Sequence, residues 1–101
     1  MNKNEERAKE LVKGLVSEFE KMEFRASIGD TSRSVEFFVW VNGEKMQCYE
    51  LADAERIDES QMEKLFDSFA EAFRKSEEYR TGEVNKISCA YSPALIAATE
   101  K

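Results

Sequence analysis

The sequence predicts an α+β domain: a helix, a three-stranded antiparallel sheet and a second helix, with a short C-terminal strand and helix appendix. Three observations carry that expectation. Apolar residues recur at i, i+3, i+4, i+7 over residues 4–22 and again from residue 60, which is the spacing of an amphipathic helix. Between them the apolar period falls to two, as in a half-buried strand. Within that stretch lies Asn42-Gly43, the dipeptide that best fits a two-residue type I′ hairpin turn. At 101 residues, with 42% hydrophobic and 36% charged residues, residues 1–101 form one domain, a size that closes a single modest core.

Taken in order, the first helix is expected over residues 4–22. Its inward stripe is Ala8, Leu11, Val12, Leu15, Val16, Phe19 and Met22, with Asn2 or Asn4 as cap and Glu5 and Glu6 near its positive end. From Phe24 the alternation with Ala26 and Ile28 predicts a first strand, and residues 29–34 are turn chemistry. Residues 35–41 are β-branched and aromatic apart from Glu36, and residues 44–51 return as a third strand. A two-residue turn sets Val41 opposite Glu44, Trp40 opposite Lys45, Val39 opposite Met46, Phe38 opposite Gln47, Phe37 opposite Cys48 and Glu36 opposite Tyr49. Residues 52–59 read as an acidic connection.

The second helix is expected from Ser60, with Glu63 completing a capping box, to about Tyr79, before Gly82. Its stripe is Met62, Leu65, Phe66, Phe69, Ala72, Phe73 and Ser76. Ile87, Cys89 and Tyr91 alternate as a short fourth strand, and Ser92-Pro93 opens a terminal helix over residues 94–99. Both long helices are expected on the core face of the sheet, leaving the other face open or partly covered.

Composition removes several classes of function. With no histidine, the commonest general base and metal ligand is missing. Cys48 and Cys89 lie 41 residues apart and match no zinc spacing, so neither metal nor cofactor is expected. No glycine-rich phosphate cradle or nucleophile motif accompanies the carboxylates, and no enzyme is expected. Residues 1–10 carry both signs of charge without an apolar stretch, so no secretory signal is expected. The cytoplasm is then the expected compartment, with both cysteines as free, inert thiols.

Charge gives the sharpest functional clue. The net −6 is concentrated: residues 50–71 hold eight acids and two bases, whereas residues 1–49 hold nine and eight, and residues 72–101 four and five. Direct nucleic-acid binding and anionic membranes are disfavoured. Glu59, Glu63, Asp67 and Glu71 are four apart and share one side of the second helix, and Asp53, Glu55 and Asp58 precede them. Such an acidic ridge has the character of a row of phosphates and suits a cationic protein groove; the plainer alternative is a solvated face, with Lys64, Arg74 and Lys75 as helical counter-ions. A second candidate is the open sheet face, where Phe38, Trp40 and Tyr49 stand beside Arg25 and Lys45 and would anchor the partner of a small immunity or adaptor protein, close a homodimer, or lie under Lys45 or residues 83–101. The chain is accordingly expected as a monomer or homodimer with a basic protein partner.

Two resemblances extend this reading. Helix, three strands, helix is similar to the double-stranded RNA-binding domain. The basic start of that family's second helix is here Glu59-Ser60-Gln61-Met62-Glu63-Lys64, reversed in sign. Gly29 with the Ser32/Ser34 turn, the strand ending at Val41-Asn42, and Glu59-Ser60 with Glu63-Lys64 resemble the small acidic type II anti-CRISPR proteins, phage-encoded inhibitors of RNA-guided DNA nucleases. That resemblance implies DNA mimicry, with Glu59 and Glu63 in the arginine-lined pocket that reads the protospacer-adjacent motif. The charge map extends the role to Asp53, Glu55, Asp58, Asp67 and Glu71.

Overall fold

The computed structural model describes residues 3–80 and 85–92. The fold is α+β, in the order α1 (Lys3–Leu15), β1 (Lys21–Ile28), β2 (Arg33–Val41), β3 (Glu44–Gln47), α2 (Cys48–Asp53), α3 (Glu59–Arg74), α4 (Glu77–Arg80) and β4 (Lys86–Tyr91). The strands make one antiparallel sheet in the order β3-β2-β1-β4. It therefore has four strands where three plus an appendix were expected: the alternation Ile87, Cys89, Tyr91 pairs along the free edge of β1. The terminal helix expected over residues 94–99 lies outside the described residues, as does Gly82.

The hairpin follows its turn chemistry. Asn42 and Gly43 take positive φ, 54° and 77°, as a I′ turn requires of both central residues. The four predicted pairs from Val41–Glu44 to Phe38–Gln47 form. The two beyond them do not, because β3 stops at Gln47 and the chain turns into α2. The reason is a reciprocal cap: Gln47 Oε1 accepts from the Tyr49 N–H at 2.8 Å and Glu50 Oε1 accepts from the Gln47 N–H at 3.0 Å, satisfying donors at the start of α2. Cys48 and Leu51 are buried; three apart, they share a helical face, whereas a strand would set them on opposite faces.

Helix α1 ends at Leu15, earlier than expected, and β1 starts at Lys21 rather than Phe24. Met22 fits both the helical stripe and the period-two set Met22, Phe24, Ala26, Ile28. Pairing decides it: Lys21 to Ile28 oppose Trp40 to Arg33 in one unbroken ladder, and the Glu20 N–H reaches the Trp40 carbonyl at 2.8 Å. Helix α3 begins at Glu59, one residue before the predicted start, because Asp58 caps it: its Oδ1 accepts from the Gln61 N–H at 3.1 Å. The expected continuation to Tyr79 is interrupted after Arg74, and Ser76 Oγ closes the end by donating to the Phe73 carbonyl at 2.6 Å.

Both long helices pack on one sheet face. Met22, Phe24, Ala26, Ile28, Val35, Phe37 and Val39 from the sheet meet Ala8, Leu11 and Val12 of α1 and Met62, Phe66, Phe69 and Phe73 of α3, all buried. Phe24 and Phe69 meet edge to face at 4.9 Å between ring centres, and Phe37 and Phe66 at 6.3 Å, the geometry aromatic quadrupoles favour. Burying each such ring contributes about 1.5–3 kcal/mol. The opposite face of the sheet carries Lys21, Glu23, Arg25, Phe38, Trp40 and Lys45. One helix layer on one sheet layer thus presents two unlike faces: helical and acidic, or pleated and mixed in charge.

Candidate functional site

The acidic face is built on α3, whose buried stripe holds the opposite side of the helix outward. A four-residue step is more than one turn, so the row Glu59, Glu63, Asp67, Glu71 drifts about 40° around the axis per step while rising about 6 Å. Glu71 therefore stands roughly 120° round from Glu59. The row is a diagonal band, not a straight ridge. Both its ends, Glu59 and Glu71, are exposed.

Midway along, the band meets a cation that the helix does not supply. Arg33, at the start of β2, donates from Nη2 to Glu63 Oε2 at 2.5 Å and from Nε to Asp67 Oδ1 at 2.6 Å. One guanidinium thus clips two carboxylates four residues apart, relieving the repulsion they would exert on the helix. Its carbon centre lies 5.6 Å from the centre of the Phe66 ring, so the head also stacks on the core edge. Burial alone would lower the Arg33 pKa, but hydrogen bonds and charge from Glu63 and Asp67 outweigh it and raise it above the ordinary value. The Tyr49 hydroxyl donates to Glu63 Oε1 at 3.0 Å; partial burial and that bond hold the phenol above its usual pKa.

The predicted acidic residues therefore divide. Glu63 and Asp67 are clipped, and Asp58 is occupied in capping α3. Asp53, Glu55, Glu59 and Glu71 are exposed and make no ion pair among the described residues. The helical counter-ions expected for Asp67 and Glu71 do not form. Arg74 turns instead to the β1–β2 loop, donating to the Gly29 carbonyl at 2.9 Å and the Ser32 carbonyl at 3.0 Å. A side chain on Gly29 would meet Ser32 Oγ at 2.7 Å, so this loop is tight as well as clamped. Glu55, exposed in the α2–α3 turn, holds φ at +58°, a left-handed conformation.

The second candidate is corrected by the same α2 turn. Tyr49 is not on the open sheet face; it lies with Glu63 on the acidic side and is 37% exposed. Phe38 and Trp40 do lie on the open face, half-buried. Their rings are bracketed by cations: Lys21 and Lys45 ammoniums stand 4.8 and 5.2 Å from the Trp40 ring centre, and Lys45 and Arg25 stand 4.6 and 5.6 Å from that of Phe38. Glu23 pairs with Lys21 at 3.5 Å and Arg25 at 3.7 Å, and Glu36 with Arg25 at 3.9 Å. This face is closer to a laced, mixed-charge surface than to an apolar patch.

Cys48 and Cys89 are free thiols whose pKa values burial pushes up, the opposite of what a nucleophile needs. Among the described residues no group of three or more acids and cysteines could hold a metal ion, and no helix is long and apolar enough to cross a membrane. The residue of this face that the sequence did not single out is Arg33, which the sequence places in a turn. Its parity with Val35 and Phe37 puts it on the core face, and a cation at the margin of a core face requires an anion opposite. No protein-family model matches the chain, and no curated protein sequence is significantly similar to it.

Proposed function

We propose that this chain is a non-enzymatic acidic inhibitor. It presents the α2–α3 face to the nucleic-acid-binding groove of a basic host protein, in the manner of a DNA mimic. The observation that supports the reading is charge segregation on a rigid frame. Eight acids against two bases fall in residues 50–71, and Asp53, Glu55, Glu59 and Glu71 stand exposed from two capped helices and the turn between them. Carboxylates fixed in this way stand in for phosphate oxygens before arginine and lysine side chains. Arg33 lowers the density at the middle of the band, so the ends would carry most of the attraction.

An RNA-guided DNA nuclease of type II, acting in the host cytoplasm, is the target in this proposal. The test is competition: the purified chain is titrated against a guide-loaded nuclease and a labelled duplex bearing the protospacer-adjacent motif. Displacement of the duplex by the native chain, lost in a Glu59→Lys, Glu71→Lys variant, is the expected result. A duplex that stays bound, or a variant as effective as the native chain, rejects the nuclease groove as the target.

A further inference from the structure

Where the end of α1, the end of β2 and the α2–α3 turn meet, the surface holds a hollow of about 300 Å³, the lower end of the range for small-ligand sites. Its apolar lining is Leu15, Val16, Val41 and Ile57, all half-buried, with buried Leu51. Two exposed side chains of opposite charge also line it, Arg56 and Glu18. Neither makes an ion pair among the described residues. Arg56 is one of only two bases among the eight acids of residues 50–71, yet its guanidinium reaches no carboxylate. Its Nη1 donates instead to Met46 Sδ at 3.1 Å, a weak acceptor. The backbone beneath it is fixed. The Arg56 N–H donates to the Leu51 carbonyl at 2.9 Å and the Glu55 N–H to the Ala52 carbonyl at 3.0 Å, with Glu55 at positive φ. That is the Schellman closure of α2. The fold thus holds a guanidinium beside an apolar wall and leaves its charge unanswered.

We propose that this hollow binds a free α-amino acid with an apolar side chain. The ligand carboxylate takes the Arg56 guanidinium, and its ammonium takes Glu18 at the negative, C-terminal end of α1. The side chain lies against Leu15, Val16 and Ile57. A zwitterion is favoured because it answers both free charges at once. A simple carboxylate leaves Glu18 unanswered and is repelled by a chain of net charge −6; a simple amine leaves Arg56 unanswered. A zwitterion carries no net charge and meets no such repulsion. The site uses none of the band carboxylates, so it goes beyond the acidic-face reading and stands or falls without it.

The probes are L-leucine and three fragments of it: isocaproate, which lacks the ammonium, isoamylamine, which lacks the carboxylate, and glycine, which lacks the side chain. Each is titrated to roughly 10 mM at neutral pH into the isotope-labelled native chain, a span that reads affinities down to the millimolar level. The amide NMR shifts of residues 15–18 and 56–57 report binding. Leucine should move them saturably, and each fragment should bind at least about tenfold more weakly, the loss expected for one charged hydrogen bond or one apolar side chain. Arg56→Gln should weaken leucine by the same factor and erase its advantage over isoamylamine. Glu18→Gln should do so and erase its advantage over isocaproate. Leucine shifts that do not saturate, or isocaproate or isoamylamine bound as tightly as leucine, overturn the proposal. So does a leucine affinity unchanged in either variant. The fragment comparison needs the native chain alone, so it holds whatever the substitutions do to stability.

Discussion

Replacing Arg33 with Met separates stability from attraction, because the two should move in opposite directions. Met keeps an unbranched stem over Phe66 and removes the charge. Lost are the ion pair to Glu63, whose side chains are 20% and 39% exposed, and the pair to Asp67, itself 71% exposed. The first contributes about 1 kcal/mol and the more solvated second about 0.5 kcal/mol. The stacked guanidinium adds about 0.5–1 kcal/mol. Glu63 and Asp67, then unclipped, repel along the helix by about 0.2–0.5 kcal/mol. The sum is about 2–3 kcal/mol, which lowers the melting temperature of a domain this size by roughly 10–20 °C. Thermal and urea denaturation read this directly, and the gap should narrow at roughly 1 M salt, where the Debye length is about 3 Å. The same variant carries one more net negative charge on the acidic face, so its association with a cationic partner should quicken. A melting temperature within about 2 °C of the native chain refutes the clip.

Further outcomes follow from the caps and turns. Asp58→Ala should destabilise the domain by about 1 kcal/mol by orphaning the first amides of α3, measured by chemical denaturation. Glu55→Gly should stabilise it by about 0.5–1 kcal/mol, because glycine accepts positive φ without a Cβ clash; a loss of stability would contradict the left-handed turn. The raised pKa of Tyr49 sets an alkaline limb: its contribution is fully present below the unfolded phenol value of about 10 and is lost as pH climbs through the higher folded value. Tyr49→Phe should therefore flatten part of the fall in stability above about pH 10 in denaturation titrations, and an unchanged alkaline limb would show that the bond to Glu63 is absent.

Much of the fold was legible because single residues could satisfy only one period. Phe66, Phe69 and Phe73 fit only a helical stripe, and Asn42-Gly43 set the hairpin register as far as Phe38–Gln47. Residues that fit both periods were the ones misplaced. Met22 belongs to α1 by spacing and to β1 by pairing, and Cys48 continues the alternation of Met46 as well as it suits a turn of helix with Leu51. The capping pair Gln47 and Glu50 was the available signal for α2, and it moved Tyr49 from the sheet face to the acidic face. Within the site, the helical row of acids was visible, but not its drift around the axis or its clip by Arg33, which comes from 30 residues earlier in the chain.

The most direct measurement is the association rate with a basic nucleic-acid-binding protein as a function of ionic strength. The comparison sets the native chain beside a variant carrying Asp53→Asn, Glu55→Gln, Glu59→Gln and Glu71→Gln. If the unclipped carboxylates are the contact, the native rate falls steeply with salt and the neutralised variant is at least about tenfold slower at low salt with a shallower slope. Equal rates and equal slopes for the two proteins would contradict it and place the partner elsewhere on the molecule.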